Sequence, residues 1–235
     1  MRVLIIIPAY NEEKNIKKTV NSIKKYDNNL DYIVINDGST DNTKQVLEEN
    51  DINYIDLPFN LGIGAAVQTG YKYAYKNNYD VAIQFDGDGQ HDITYVNKLI
   101  DGIKNGANMV VGSRYIDNIS TFKSTAARQF GIKIISKFIK LLSGTTIKDV
   151  TSGFRAVDKT ILNLFCNYYP FDFPEPITNY ALLKLGFRVE EVGVNMFERG
   201  GGKSSINFLK SIYYMFNVLL SIVLFKPKRI KERKI

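Results

Sequence analysis

Five short apolar runs, at residues 3–7, 32–36, 52–57, 81–85 and 108–112, alternate with stretches of helical periodicity near 12–25, 42–50, 62–76 and 93–104. Runs of this length, rich in Ile and Val and separated by amphipathic helices, are the pattern of an α/β fold: a mostly parallel, Rossmann-like sheet between helices. Ligands of such sheets bind beyond the carboxyl ends of the strands. The loops that follow the five runs are therefore where chemistry is to be sought.

The first run, Val3 to Ile7, is too short and wrongly flanked for a secretory signal and reads as a buried strand. With 235 residues, 45% of them hydrophobic, the chain can bury a sizeable core, which excludes disorder, collagen and a disulfide scaffold. Cys166 is the single cysteine and His91 the single histidine, so neither an internal disulfide nor a structural zinc site can form. A reducing, cytoplasmic compartment fits.

The net charge of +7 is unevenly placed. Lys226, Lys228, Arg229, Lys231, Arg233 and Lys234 face one acid, Glu232, in the last ten residues, and 121–140 carries Lys123, Arg128, Lys133, Lys137 and Lys140 with no acid at all. The remainder of the chain is slightly acidic. Two local basic segments on such a body suit an anionic membrane surface better than nucleic acid, which would call for a broader basic face. In 128–142, Ile134, Ile135, Phe138, Ile139 and Leu142 fall at helical spacing and the lysines elsewhere on the wheel, making a basic amphipathic helix. A second apolar helix is expected over 206–225; its uncharged stretch of 15 residues is short of the roughly 20 that span a bilayer. Either both helices lie at a membrane interface or they simply pack on the core.

Asp86-Gly87-Asp88 follows the apolar run 81–85 directly. Two carboxylates separated by one glycine at a strand end can hold a hard divalent cation while the glycine lets the backbone approach a diphosphate; alone, the same three residues are also an ordinary turn. Strand one ends in Pro8-Ala9-Tyr10-Asn11-Glu12, strand two in Asn36-Asp37-Gly38-Ser39-Thr40-Asp41, and the third turn carries Asn60-Leu61-Gly62-Ile63-Gly64. Asn11 and Asp41 also suit helix N-caps, and Asp37-Gly38 a turn. All end strands of one sheet and should meet in one crevice.

In order, these motifs continue with Gln90-His91, Gly112-Ser113-Arg114, Asp149-Val150-Thr151-Ser152-Gly153-Phe154-Arg155, and Arg199 before Gly202-Lys203-Ser204-Ser205. Over residues 3–206 the set resembles the inverting family 2 glycosyltransferases with the GT-A fold, in the branch of dolichol-phosphate mannose synthase and bacterial polyprenyl-phosphate glycosyltransferases. The resemblance implies a GT-A domain over 1–205, including the basic helix 125–142, followed by a membrane-interface segment over 206–235. It implies that Pro8, Tyr10, Glu12, Asp37 and Gly62 line the pocket of a nucleotide-diphosphate sugar, that Asp86 and Asp88 hold Mg2+ or Mn2+ against the diphosphate, and that Gln90 touches phosphate or metal. For His91, a loop residue and a functional one are equally open.

The resemblance further implies that Arg114, Arg128 and Arg199, with Lys203 and Ser204, receive an anionic acceptor lipid. A lipid monophosphate, with a second pKa near 6 by analogy with phosphorylated side chains, attacks without a protein base; a hydroxyl acceptor needs one, and Glu175 and Asp149 are the candidates, as base or as scaffold. Two departures stand out: Ile132 occupies a position where the branch often has serine, and the transmembrane domain that follows the catalytic domain in many members is missing, so α-helical interface segments or a separate membrane-protein partner would bring the enzyme to the inner face of the cell membrane. Gly202-Lys203-Ser204 lacks the glycine a P-loop needs, since Phe197 stands there, and Gly62-x-Gly64 lacks the third small residue of a dinucleotide fingerprint. The rival functions are transfer to a saccharide hydroxyl in capsule or cell-wall assembly and, more remotely, a non-catalytic sugar-nucleotide-binding module.

Overall fold

A computed structural model of the chain describes residues 1–117, 119–121, 125–198 and 208–224, with the backbone alone at 127 and 208–214. Among the described residues seven strands form one sheet: β1 (Val3–Ala9), β2 (Asp31–Asn36), β3 (Tyr54–Asp56), β4 (Val81–Gln84), β5 (Met109–Ser113), β6 (Arg155–Asp158) and β7 (Val189–Gly193), in the order β3-β2-β1-β4-β6-β5-β7. All run parallel except β6, which lies antiparallel between β4 and β5. β1 is buried along nearly its whole length, as an apolar run covered on both faces must be.

Among the described residues eight α-helices cover the sheet: α1 (Ile16–Tyr26), α2 (Thr43–Glu49), α3 (Ile63–Lys76), α4 (Val96–Lys104), α5 (Ala126–Ser143), α6 (Lys159–Asn167), α7 (Pro174–Lys184) and α8 (Phe208–Leu224). One core takes Ile5 and Ile7 of β1 with Ile16, Val20 and Ile23 of α1 and Leu99 and Ile103 of α4; the other takes Leu4 and Ile6 with Val67 of α3, Ile135 and Ile139 of α5 and Ile161 of α6. The alternation of side chains along β1 thus divides its residues between the two cores.

The helix expected from residue 12 starts at Ile16. Asn11 is left-handed at φ 56°, and the N–H groups of Asn15 and Ile16 both bond to the Glu12 carbonyl at 2.9 Å, so 11–15 form a turn before the helix. Beyond Asp149 the elements α6, β6, α7 and β7 had no clear signal in the sequence.

α5 and α8 pack together: Val218 and Ile222 of α8 are fully buried, each such side chain contributing about 1.5–3 kcal/mol. The opposite side of α8 exposes Phe216, Leu220, Val223 and Leu224, and α5 exposes Phe130 and Leu141. The expectation that these helices pack on the core is thus met on one face of α8, while its other described face is apolar and exposed. Among the described residues no helix is long and apolar enough to cross a membrane. The basic tail, 226–235, lies outside the described residues.

Candidate active site

The loops after β1, β2 and β3 are tied to one another by their own side chains. Asn11 Oδ1 accepts from the N–H of Thr40 at 2.8 Å, and Ser39 Oγ accepts from the N–H of Asn11 at 3.0 Å while donating to Asn36 Oδ1 at 2.6 Å. Glu12, buried, donates its N–H to Thr43 Oγ1 at 2.8 Å and accepts from Asn15 Nδ2 at 2.8 Å. Asp41 accepts from the N–H of Thr43 at 2.9 Å from one residue before the N-cap position of α2, which Asn42 occupies, so it ties the turn ahead of the helix and is not itself the N-cap expected from sequence. Asp37 is buried, and its two oxygens accept from the N–H groups of Leu61 at 2.8 Å and Gly62 at 2.9 Å. Its carboxylate draws the third turn onto the second. Gly38 makes the closure fit, since at φ 61° a Cβ there would lie 2.4 Å from the Phe59 carbonyl carbon.

The N–H of Gly87 bonds to the Pro8 carbonyl at 3.2 Å, bringing Asp86-Gly87-Asp88 beside Pro8, Ala9 and exposed Tyr10. Asp86 accepts at Oδ1 from Gln84 Nε2 at 3.0 Å and faces His91 Nε2 with Oδ2 at 3.1 Å. Gly153 presses on the same carboxylate, for a Cβ there would stand 2.5 Å from Oδ2. Asp88 Oδ1 accepts from the N–H of Gln90 at 3.0 Å, and Gln90 donates its amide to the Phe197 carbonyl at 3.2 Å. A cavity of about 330 Å³ opens beside Asp88, walled by Asn15, Thr19, His91 and Phe197.

His91 is buried between Phe85 and Phe154, with ring centroids at 5.4 and 5.0 Å. Burial pulls its pKa down to about 4, against the pull of Asp88, so the ring is neutral near pH 7. Glu175, half-buried at the start of α7, has its carboxyl pushed above the usual range by desolvation; the Arg155 guanidinium draws it back, and the Asp86 charge adds to the rise. Glu175 thus belongs to the same charge cluster as Asp86.

Across the crevice, Arg114 Nε and Nη2 bond to the two oxygens of Asp149 at 2.7 and 2.6 Å, its backbone N–H to the same carboxylate at 3.0 Å, and Nη2 to Thr151 Oγ1 at 2.9 Å. Burial works against the Arg114 charge, but Asp149 outweighs it and raises the guanidinium above its ordinary value. Glu191 of β7 accepts from the N–H groups of Lys148 at 2.7 Å and Asp149 at 2.8 Å and so fixes the loop. Two expectations change here. Asp149 is fully buried with both oxygens on Arg114 and is a scaffold, not an accessible base. The fork of Arg114 is committed to Asp149 and not presented to an acceptor phosphate.

Arg128 stands exposed on the first turn of α5, where Thr125 Oγ1 accepts its N–H at 3.3 Å. Ile132 is buried and lines, with Tyr115, Lys133, Ser136, Lys137 and Lys148, a cavity of about 270 Å³. Arg199, Lys203 and Ser204 lie outside the described residues. Sequence reasoning gave no role to Gln84, Gly153 or Arg155. Gln84 had a visible signal as the one polar residue in the apolar run 81–85, and Gly153 and Arg155 stand within the 149–155 motif.

Two carboxylates and an amide oxygen are hard donors suited to Mg2+ or Mn2+. Among the described residues no group of three or more His, Cys, Asp or Glu side chains converges as a metal cage. That fits the habit of Mg2+ to bind through one or two carboxylates plus substrate phosphates and water.

The model of the family described as Glycosyl transferase family 2 matches residues 4–165. The polyprenol monophosphomannose synthase of Mycolicibacterium smegmatis is 27% identical over 92% of this chain and 85% of its own length. A UDP-N-acetylglucosamine–dolichyl-phosphate N-acetylglucosaminyltransferase of Methanococcus voltae is 37% identical over 69% of this chain and 71% of its own. Among solved structures, glucosyl-3-phosphoglycerate synthase from Mycobacterium tuberculosis, in complex with Mn2+, UDP and phosphoglyceric acid, superposes with a TM-score of 0.67 at 17% identity, covering 95% of this chain and 77% of that one. At that identity the likeness concerns the fold, which is of the GT-A type.

Proposed function

This chain belongs to glycosyl transferase family 2, and from that premise we propose that it transfers a sugar, with inversion, from a nucleotide-diphosphate donor to the phosphate of a polyprenyl monophosphate at a membrane surface. The carrying observation is the Asp86–Asp88 pair at the end of β4, set against the β1 and β2 loops with its carboxylates bonded to neutral N–H donors. The relatives named above for polyprenol and dolichyl phosphate support the acceptor class.

In this reading Tyr10, Glu12, Asp37 and Gly62 shape the nucleotide pocket, Asp37 by holding the turn that contains Gly62. Asp86, Asp88 and Gln90 would hold Mg2+ or Mn2+, which when bound neutralises the charge gathering on the departing diphosphate. The bond from the anomeric carbon to the diphosphate breaks as the bond to an acceptor phosphate oxygen forms on the opposite face. Acceptor phosphate is largely dianionic at neutral pH, with a second pKa of about 6, so no side chain need take a proton. Arg128 is the described cation assigned to steer that phosphate, and Arg199, Lys203 and Ser204 are assigned to the same side from sequence.

The apolar stripe of α8 and the exposed Lys133, Lys137 and Lys140 of α5 are each assigned to contact with an anionic bilayer surface. The negative potential of the cytoplasmic leaflet favours the inner face. A separate membrane protein seated on the same stripe is the other way to the bilayer. One observation favours transfer to a saccharide hydroxyl instead: Glu175 is a desolvated carboxyl with a raised pKa near Asp86, as a general base would be.

The test is nucleotide release by purified protein with Mn2+ and a panel of UDP-, GDP- and dTDP-sugars, with and without undecaprenyl phosphate. Release that depends on the lipid supports the proposal and identifies the donor. Release that depends on an oligosaccharide and ignores the lipid overturns it in favour of the hydroxyl acceptor.

A further inference from the structure

We infer that His91 and Gln84 are positioning residues that hold the Asp86 carboxylate in the orientation a divalent cation requires; this rests on the reading of Asp86 and Asp88 as the donor-metal pair. The two oxygens of Asp86 are held separately, Oδ1 by Gln84 Nε2 at 3.0 Å and Oδ2 by His91 Nε2 at 3.1 Å. Gly153 closes a further side. One N–H from the amide and one from the imidazole meet the two carboxylate oxygens separately, so together they fix the plane of the carboxylate.

The cost of keeping these two residues argues that they are more than filling. Because His91 Nε2 faces a carboxylate it carries the ring hydrogen, which leaves Nδ1 a bare acceptor; that atom is buried and has no hydrogen-bond partner among the described residues. Gln84 repeats the pattern, its Oε1 buried and without a hydrogen-bond partner among the described residues, in a strand otherwise made of Val81, Ala82 and Ile83. A buried polar atom left unpaired is destabilising, and an apolar side chain of similar shape would avoid it. Each residue bears one unpaired atom; His91 gives its other nitrogen to Asp86, and Gln84 gives its amide nitrogen to Asp86 while its side chain also bonds the Glu175 carboxyl. The imidazole is also kept from turning away, by Phe85 and Phe154 around the ring and by a backbone bridge from His91 to Met196.

The experiment is Mn2+ binding in the presence of UDP, read from the electron paramagnetic resonance signal of free Mn2+, with no turnover involved. Loss of an outer-sphere partner costs about 10- to 100-fold in metal affinity elsewhere, so His91→Phe and Gln84→Met should each weaken Mn2+ binding by about tenfold. His91→Gln, whose amide nitrogen reaches the place of Nε2, should bind several times more tightly than His91→Phe. Equal Mn2+ affinity in wild type, His91→Phe and Gln84→Met overturns the inference, as does a His91→Gln no better than His91→Phe when thermal unfolding shows both folded. If His91→Phe does not fold, Gln84→Met decides by the same readout. Asp88→Asn separates the premise from the inference. If it binds Mn2+ as tightly as wild type, or if wild type binds none, the metal reading has failed and the positioning role falls with it.

Discussion

Arg114 and Asp149, 35 residues apart, form a buried bidentate ion pair that joins the end of β5 to the loop before β6. Its work is to hold those two segments together. Removing one partner strands the other charge out of water, which in buried pairs costs about 3–5 kcal/mol. Asp149→Ala should therefore lose stability of that order in urea unfolding. A variant as stable as wild type would show that the pair is not formed.

Asp88→Asn removes one charge from the strand-end pair without changing its shape. Turnover in saturating Mn2+ should fall by at least about a hundredfold, the scale of losing an electrostatic stabiliser of the leaving group, with the unfolding midpoint unchanged. Full turnover of this variant, or of wild type in excess chelator, would remove the metal from the reaction.

The first five strands, and the place of the carboxylates at their ends, were legible because the signals are local. Val3 to Ile7 and Val81 to Phe85 are continuous apolar runs, and Asp37, Asp86 and Asp88 follow such runs directly. β6 was not legible: it is four residues, Arg155 to Asp158, charged at both ends, and it enters the sheet against the direction of its neighbours. α7 begins with Pro174 and Pro176 and is buried on nearly every side, so it shows no amphipathic stripe. The use of each site carboxylate was hidden for a different reason. Asp37 bonds to Leu61 and Gly62, Asp86 to His91, and Asp149 to Arg114, and tertiary packing alone decides which oxygen meets which donor.

Glu175 separates the two acceptor readings. Its folded pKa is raised above the ordinary 4.5, chiefly by burial, so the folded state holds its proton more tightly than the unfolded state does. Stability from this group is then intact below pH 4.5 and declines as pH rises through the unfolded and then the folded pKa. Glu175→Gln should accordingly be more stable than wild type at pH 7, with the advantage vanishing in acid. With a polyprenyl phosphate acceptor its turnover should stay within about tenfold of wild type, whereas loss of a general base costs about 10²–10⁴. A loss on that scale in a folded variant would assign Glu175 the base and the acceptor a hydroxyl.

Arg128 stands on the first turn of α5, exposed at the end of the basic helix. A phosphate acceptor steered there should be lost selectively. Arg128→Ala is expected to raise the acceptor KM, or lower turnover, by about tenfold, the scale of one charge-assisted hydrogen bond of about 1.5–3 kcal/mol. Donor affinity should not change, and a defect confined to the donor would contradict the assignment.

Membrane contact divides into an apolar and an electrostatic part that can be measured separately. Phe216, Leu220, Val223 and Leu224 stand on the open side of α8 while Val218 and Ile222 hold the helix to the core, so polar residues on the open side should leave folding intact. Phe216→Ser with Leu220→Ser should weaken flotation with vesicles at every salt concentration, because apolar burial is not screened. Lys133, Lys137 and Lys140 contribute through charge, at about 1 kcal/mol for each lysine near an anionic surface. Their replacement by Gln should weaken binding to phosphatidylglycerol vesicles strongly at low salt and little at high salt, where the screening length shortens to about 3 Å at 1 M, and should hardly affect phosphatidylcholine vesicles. If neither set alters flotation of a protein that does float, the described part of the α5–α8 face is not what meets the bilayer.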